Sequence, residues 1–171
     1  MKLWNRFVKI FEAVSKLFLW IAEAAVAAMI LLITASIIIR MCGGVANFSD
    51  ELSGYLLVIL VYFGLAYTQQ LDKLIVVDIL TSHLPPKTVK ILKIPVFIIA
   101  ISFLIVLSKY VKTIISTSIA RHTTSLTSLA IPLWIPQVMI IIGLVMLIVR
   151  MFIDLVNTIL ELCGLRKEET S

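Results

Sequence analysis

Four long apolar segments, each bounded by charged or polar residues, constrain this chain more than any other feature of its sequence. They lie at about residues 17–39, 52–68, 94–110 and 131–152. An α-helix needs about 17–25 mainly apolar residues to cross the hydrocarbon core of a bilayer, and all four segments meet that length. The sequence therefore predicts an all-α integral membrane protein with four transmembrane helices in one domain, residues 1–171.

Composition supports this class. Hydrophobic residues make up 61% of the chain and charged residues 15%, whereas soluble domains carry about 45–50% and about 25%. The net charge of +5 does not predict a nucleic-acid partner, because the basic residues cluster at the ends of the apolar segments without interleaved aromatics. Membrane topology explains that distribution, and lipid is an expected partner.

Lysine and arginine counts predict the orientation. The N-terminal tail, the 69–93 loop and the C-terminal segment counted from Arg150 together carry eleven. The opposite side carries four, which are Arg40, Lys109, Lys112 and Arg121. Since loops rich in these residues stay on the cytoplasmic side, both termini are predicted to lie in the cytoplasm. Cys42 is then external and Cys163 internal, so the two cannot form a disulfide within one chain.

Glu23 is the only acidic residue well inside a predicted span, about 9 Å from its start at 1.5 Å per residue. An ionisable residue in a membrane is costly and is a functional hypothesis by default. A structural or interface role and a proton-coupling role both stay open.

Nothing in the sequence predicts catalysis. His83 and His122 fall in the connections between the predicted spans, no Cys/His cluster has metal-ligand spacing, and no phosphate-binding glycine loop is present. We expect no cofactor, no metal site and no enzymatic activity. The 116–128 stretch, rich in Ser and Thr, is predicted to be a solvated external connection.

Residues 71–84 are predicted to form a short cytoplasmic interfacial helix between the second and third spans. Ile75 and Ile79 fall beside Asp78 and Ser82 rather than opposite them, whereas a lone surface helix would segregate its apolar residues better. We therefore expect this segment to contact both lipid and protein. The alternative is that it is the frayed end of the second span.

Charges also mark the first hairpin. Arg40 ends the first span, where the helix macrodipole favours positive charge, and Asp50–Glu51 opens the second span, where it favours negative charge. Arg40 can pair with either acid and fix the hairpin, or the charges can simply mark the membrane boundary. The candidate partner contacts are Glu23, Arg40, Asp50, Glu51, Asp78 and, at the predicted outer end of the fourth span, Trp134.

The middles of the spans contain no cluster of polar groups and no glycine or proline break. Pro95 is predicted to lie in the first turn of the third span, where a missing N–H costs little. Solute transporters place polar groups and broken helices at the midplane. The pattern therefore favours a scaffold for another membrane protein over a permeation path.

Four groups of residues, taken in order, match a known family. They are Arg40 with Asp50–Glu51, the Tyr62–Ala66 stretch, Leu74–Leu80 followed by Leu84-Pro85, and Leu129–Trp134 with Gly143 in the last span. In order and spacing they resemble the small membrane subunit, the Q component (DctQ-like), of tripartite ATP-independent periplasmic (TRAP) transporters. The resemblance covers about Trp20 to Phe152. Glu23 departs from it, so no role is carried over to that residue.

The resemblance implies a division of labour in a bacterial inner membrane. A periplasmic substrate-binding protein captures an organic anion, of the sialic acid or C4-dicarboxylate type. A large multi-span subunit moves it by an elevator motion driven by sodium, and sodium binds in that partner. The small subunit is implied to be a static scaffold that helps dock the binding protein.

Two other classes stay open. A small self-contained multidrug exporter also has four helices and a proton-coupling glutamate in the first, the place that Glu23 would take. Such exporters are shorter, with tighter loops and a glutamate nearer the midplane. An assembly factor of a respiratory complex is the third class.

Overall fold

The computed structural model describes residues 2–46, 48–71, 86–125 and 130–162. Those residues form four α-helices and no strand. The helices are α1 (Lys2–Met41), α2 (Phe48–Gln70), α3 (Pro86–Ala120) and α4 (Trp134–Leu162). By length and composition each can cross a membrane. The prediction of an all-α chain with four membrane-spanning helices is confirmed.

The helices pack in an order that differs from their order in the chain. α1 packs on α2, α2 on α4, and α4 on α3. α1 and α2 form one antiparallel hairpin and α3 and α4 another, so α2 and α4 run parallel at the centre. The described ends of the chain meet, because Trp4 Nε1 donates a hydrogen bond to Asn157 Oδ1 at 3.2 Å. The side of the membrane on which they meet stays a prediction.

α1 is much longer than the predicted first span. Its 40 residues extend about 60 Å at 1.5 Å per residue, about twice the thickness of a hydrocarbon core. The first part of α1 packs on the end of α4, where Val8 and Phe11 are buried with Ile153. Farther along, the rings of Phe18 and Phe63 meet edge to face, with centroids 4.6 Å apart, and join α1 to α2.

α1 ends in a glycine cap. Gly43 has a positive φ of 82°, and its N–H donates to the Arg40 carbonyl at 3.1 Å. The Gly44 N–H donates to the Ile39 carbonyl at 2.9 Å. These two bonds form a Schellman motif, which satisfies carbonyls that the helix end leaves unpaired. The motif stops α1 and turns the chain toward α2.

α3 ends in the same motif with a histidine at the left-handed position. His122 has a φ of 48°, and its N–H donates to Ile119 O at 3.2 Å. The Thr123 N–H donates to Ser118 O at 3.1 Å. The predicted loop position of His122 is confirmed. The expected solvated connection begins too early, however, because residues 116–120 continue α3.

Pro95 lies in the interior of α3 and not in its first turn, so that prediction was wrong. The helix begins at Pro86, and proline suits a first helical position because its N–H has no intrahelical partner there. Inside the helix, Pro95 leaves one carbonyl, that of Ile91, without its usual donor. A single lost bond does not end a helix of 35 residues.

A short link joins α3 to α4. The Ser125 N–H donates to Ile131 O at 2.9 Å and the Leu133 N–H to Thr123 O at 3.1 Å. Ile131 and Leu133 make these bonds to residues of the link and not within a helix. The helix α4 therefore begins only at Trp134. That is three residues later than the predicted start of the fourth span.

The apolar core lies where α2, α3 and α4 meet. Leu104 of α3 packs with Leu144 and Leu147 of α4, and Tyr62 and Leu65 of α2 border them. This core holds the two hairpins together between the polar groups described next.

Candidate functional site

A polar cluster joins three helices where α2 ends. Arg150 Nη2 of α4 lies 2.8 Å from Asp154 Oδ1, one helical turn away. Gln69 Nε2 of α2 donates to Asp154 Oδ2 at 3.1 Å. Glu12 of α1 lies 3.9 Å from Arg150 Nη1. We call these four residues the Arg150 cluster.

The ion pair at the centre of the Arg150 cluster is largely shielded from solvent. The side chains of Arg150 and Asp154 are 11% and 13% exposed. Removing one partner of such a pair leaves a poorly solvated charge, which costs more than a surface pair contributes. The shielded pair therefore fixes how α2 and α4 meet, and Glu12, whose side chain is 41% exposed, adds a longer contact from α1.

Sequence reasoning missed the Arg150 cluster. In the sequence, Arg150 was used only in the count of lysines and arginines, and Gln69 only as the residue that follows the second predicted span. One signal was present, because Arg150 and Asp154 stand four residues apart on a helix, where opposite charges meet. No local signal connects them to Gln69, which lies 85 residues before Asp154.

The predicted charge contact of the first hairpin forms with Asp50. Arg40 Nη2 lies 3.3 Å from both carboxylate oxygens of Asp50, and the two side chains are 53% and 79% exposed. Glu51 instead accepts a hydrogen bond from the Tyr55 hydroxyl. Between Asp50 and Glu51, which the sequence left open, the structure selects Asp50.

A buried hydroxyl pair lies beside this contact. Ser36 Oγ of α1 and Ser49 Oγ of α2 are 2.8 Å apart, and both residues are buried. Ser49 Oγ donates its one proton to Ala46 O at 2.7 Å, so Ser36 donates to Ser49. Because this pair is buried, it contributes more to the hairpin than the exposed charges do.

Trp134 lies at the turn between α3 and α4, beside a cavity of about 400 Å³. The cavity is lined by Ser118, Ile119, His122, Thr123, Thr124, Pro132 and Trp134. In the described part of the chain, no three His, Cys, Asp or Glu side chains come together as a metal site would require. The cavity is a surface feature of the link and lies apart from the Arg150 cluster.

Glu23 lies on the outside of α1. It is exposed, whereas its neighbours Ala22 and Ala25 are buried. Asp78, and with it the predicted interfacial helix at 71–84, falls outside the described residues. The structure thus brings Arg40 and Asp50 together and leaves Glu23 and Trp134 apart from them.

The arrangement holds helices together. Polar contacts join α1 to α2 at one end and α1, α2 and α4 at the other. Between them, Leu65, Leu144 and Leu147 pack in the apolar core.

A family model agrees with this architecture. The model described as tripartite ATP-independent periplasmic transporters, DctQ component, matches residues 29–161. The match includes the last third of α1, all of α2 and α3, and nearly all of α4. No curated protein matches the chain.

Proposed function

The chain belongs to the DctQ component family of tripartite ATP-independent periplasmic transporters, and from this premise we propose that it is the static scaffold of such a transporter. The family is one of transporter components and not of enzymes. Four helices that can each cross a membrane agree with a multi-pass subunit. For a member of this family, the expected partners are a larger membrane transport subunit and a periplasmic binding protein.

The Arg150 cluster is the observation that carries the scaffold role. A static wall beside a moving subunit must resist sliding of its own helices. The contacts of Arg150 and Asp154 with Glu12 and Gln69 tie α1, α2 and α4 at one level. The close approach at Gly143 also holds α2 and α4 together nearer their middle.

The finer parts of the proposal rest on the family resemblance. We propose transport of an organic anion, of the sialic acid or C4-dicarboxylate type, driven by a sodium gradient across the bacterial inner membrane. Sodium and the anion would bind in the large subunit. This chain would support that subunit and help dock the binding protein.

The exporter alternative finds no support in the position of Glu23. A carboxylate that couples proton entry to export must be reachable from the transport path. Glu23 instead lies on the outer face of α1, away from the packed centre of the four helices. The family match likewise favours a transporter component over a respiratory assembly factor.

Uptake by reconstituted vesicles tests the proposal. The chain alone is expected to give no uptake of sialic acid or a C4-dicarboxylate. With the large subunit and the binding protein, uptake is expected under an inward sodium gradient and not when potassium replaces sodium. Transport by the isolated chain, or equal transport by the other two proteins without it, would reject the scaffold role.

A further inference from the structure

One face of α1 turns away from the rest of the protein. Its residues follow one another at spacings of three or four, which places them on one side of a helix. All are exposed. They are Lys16, Trp20, Glu23, Ala27, Ile30 and Thr34, and we call them the Glu23 face. Phe11, Ala22 and Ser36, which are buried, lie on another side of α1.

Glu23 lies deep enough for its surroundings to matter. Arg40 follows Lys16 by 24 residues, about 36 Å along the helix axis, and Glu23 is the only charged residue between them. It stands about 10 Å beyond Lys16. With a hydrocarbon core of about 30 Å centred between Lys16 and Arg40, the backbone of Glu23 falls inside the apolar layer, and its side chain points back toward the Lys16 end of that layer. A carboxylate in that layer requires a partner or loses its charge.

Thr34 is a second polar residue on the same face. Its hydroxyl makes no hydrogen bond to any residue that the structure describes. Three exposed hydroxyls of α3, those of Ser102, Thr113 and Thr117, donate to carbonyls four residues earlier at 2.8, 3.1 and 2.9 Å. The exposed hydroxyl of Ser116, like that of Thr34, makes no such bond to a described residue. A hydroxyl satisfied by its own helix suits a lipid-facing surface. Thr34 is left available for a group outside this chain.

Lys16 does not neutralise Glu23. Helical side chains point toward the N-terminus of their helix, so the Lys16 side chain leads away from Glu23. No ion pair joins Glu23 to Lys16 or to any other described residue. A second copy of the chain is also a poor occupant, because a parallel α1 would bring two Glu23 carboxylates together and like charges disfavour ionisation.

We propose that the Glu23 face seats a transmembrane helix of the large transport subunit, which presents a basic or amide hydrogen-bond donor to Glu23 and a polar group to Thr34. Ala27 lies between them and lets two helix backbones approach closely, as small residues do in membranes. The inference rests on the proposed function and names the surface through which it operates. The exposed face of α3 around Ile99 and Phe103, which are 69% and 66% exposed, carries no charged residue and is expected to face lipid.

Photo-crosslinking from two matched positions tests the location. A photo-reactive amino acid replaces Ala27 or Ile99 in cells that also produce the tagged large subunit and the binding protein. An adduct with the large subunit is expected from Ala27 and not from Ile99. A dimer of this chain from Ala27, no adduct from Ala27, or equal yields from both positions would overturn the proposal.

Substitutions test the chemistry. Glu23→Lys is expected to lower co-purification of the large subunit about tenfold or more, since it places like charges together. Glu23→Gln and Thr34→Val should lower it less, and the lipid-facing control Ser102→Ala should leave it unchanged. If the unaltered chain does not bind the large subunit, the proposed function fails. If it binds and the Glu23 variants bind equally well, only the present inference fails.

Discussion

Gly143 of α4 lies directly against the backbone of Tyr62 in α2. A Cβ atom built on Gly143 would stand 2.6 Å from Tyr62 Cβ, closer than two carbon atoms can approach without bonding. Glycine is therefore required where the two central helices cross. Since α2 and α4 connect the two hairpins, this contact helps to set the distance between the hairpins.

We expect Gly143→Ala to destabilise the protein by about 1–3 kcal/mol, the usual cost of forcing extra volume into a packed contact. The measurement is thermal unfolding in mild detergent. Gly64→Ala in α2 is the matched control, because nothing lies within 4 Å of a Cβ at Gly64 and alanine favours a helix over glycine. Equal effects of the two substitutions would contradict the close crossing.

The Arg150 cluster predicts strong coupling between two residues of α4. Arg150→Ala or Asp154→Ala alone should cost about 3–5 kcal/mol, because each leaves the other charge shielded and without its main partner. The double substitution should cost less than the two single ones added together. The exposed Arg121→Ala serves as a control with no expected effect. Additive losses in a double-mutant cycle would reject the pairing.

The contact between Arg40 and Asp50 should contribute little. Both side chains are more than half exposed, and exposed pairs contribute about 0–1 kcal/mol. A double-mutant cycle on unfolding should give a coupling in that range, and salt should weaken it. Ser36→Ala should cost about 1 kcal/mol or more, because it removes the donor to a buried hydroxyl. A larger loss for Arg40→Ala than for Ser36→Ala would reverse this ranking.

The predicted orientation can be tested with the two cysteines. The Cys42 thiol is exposed, and the charge count places it outside the cytoplasm. A membrane-impermeant thiol reagent should label Cys42 in intact spheroplasts and reach Cys163 only after the membrane is opened. A Cys42→Ser variant supplies the background. Labelling of Cys163 in sealed cells would reverse the topology.

The sequence by itself determined the class of the protein and the number of its helices. Hydropathy is a local property, so each apolar run identifies a helix without reference to the others. The motifs near Tyr62, Gly143 and Trp134 were enough to indicate the family. The sequence also indicated that Arg40 has an acidic partner, because the end of the first span and the start of the second are close together in the chain.

Only the tertiary structure decided how the helices are arranged. A transmembrane helix is apolar all round, so its periodicity does not show which side faces protein and which faces lipid. Residues far apart in the sequence form the pairing of α2 with α4 and the contact between Gln69 and Asp154. Asp50 and Glu51 are adjacent acids in the same helical turn, so the sequence did not show which of them pairs with Arg40. The sequence also did not show that Glu23 lies on the outside of α1. One side of α1 becomes the outer side only because α2 and α4 cover the opposite side.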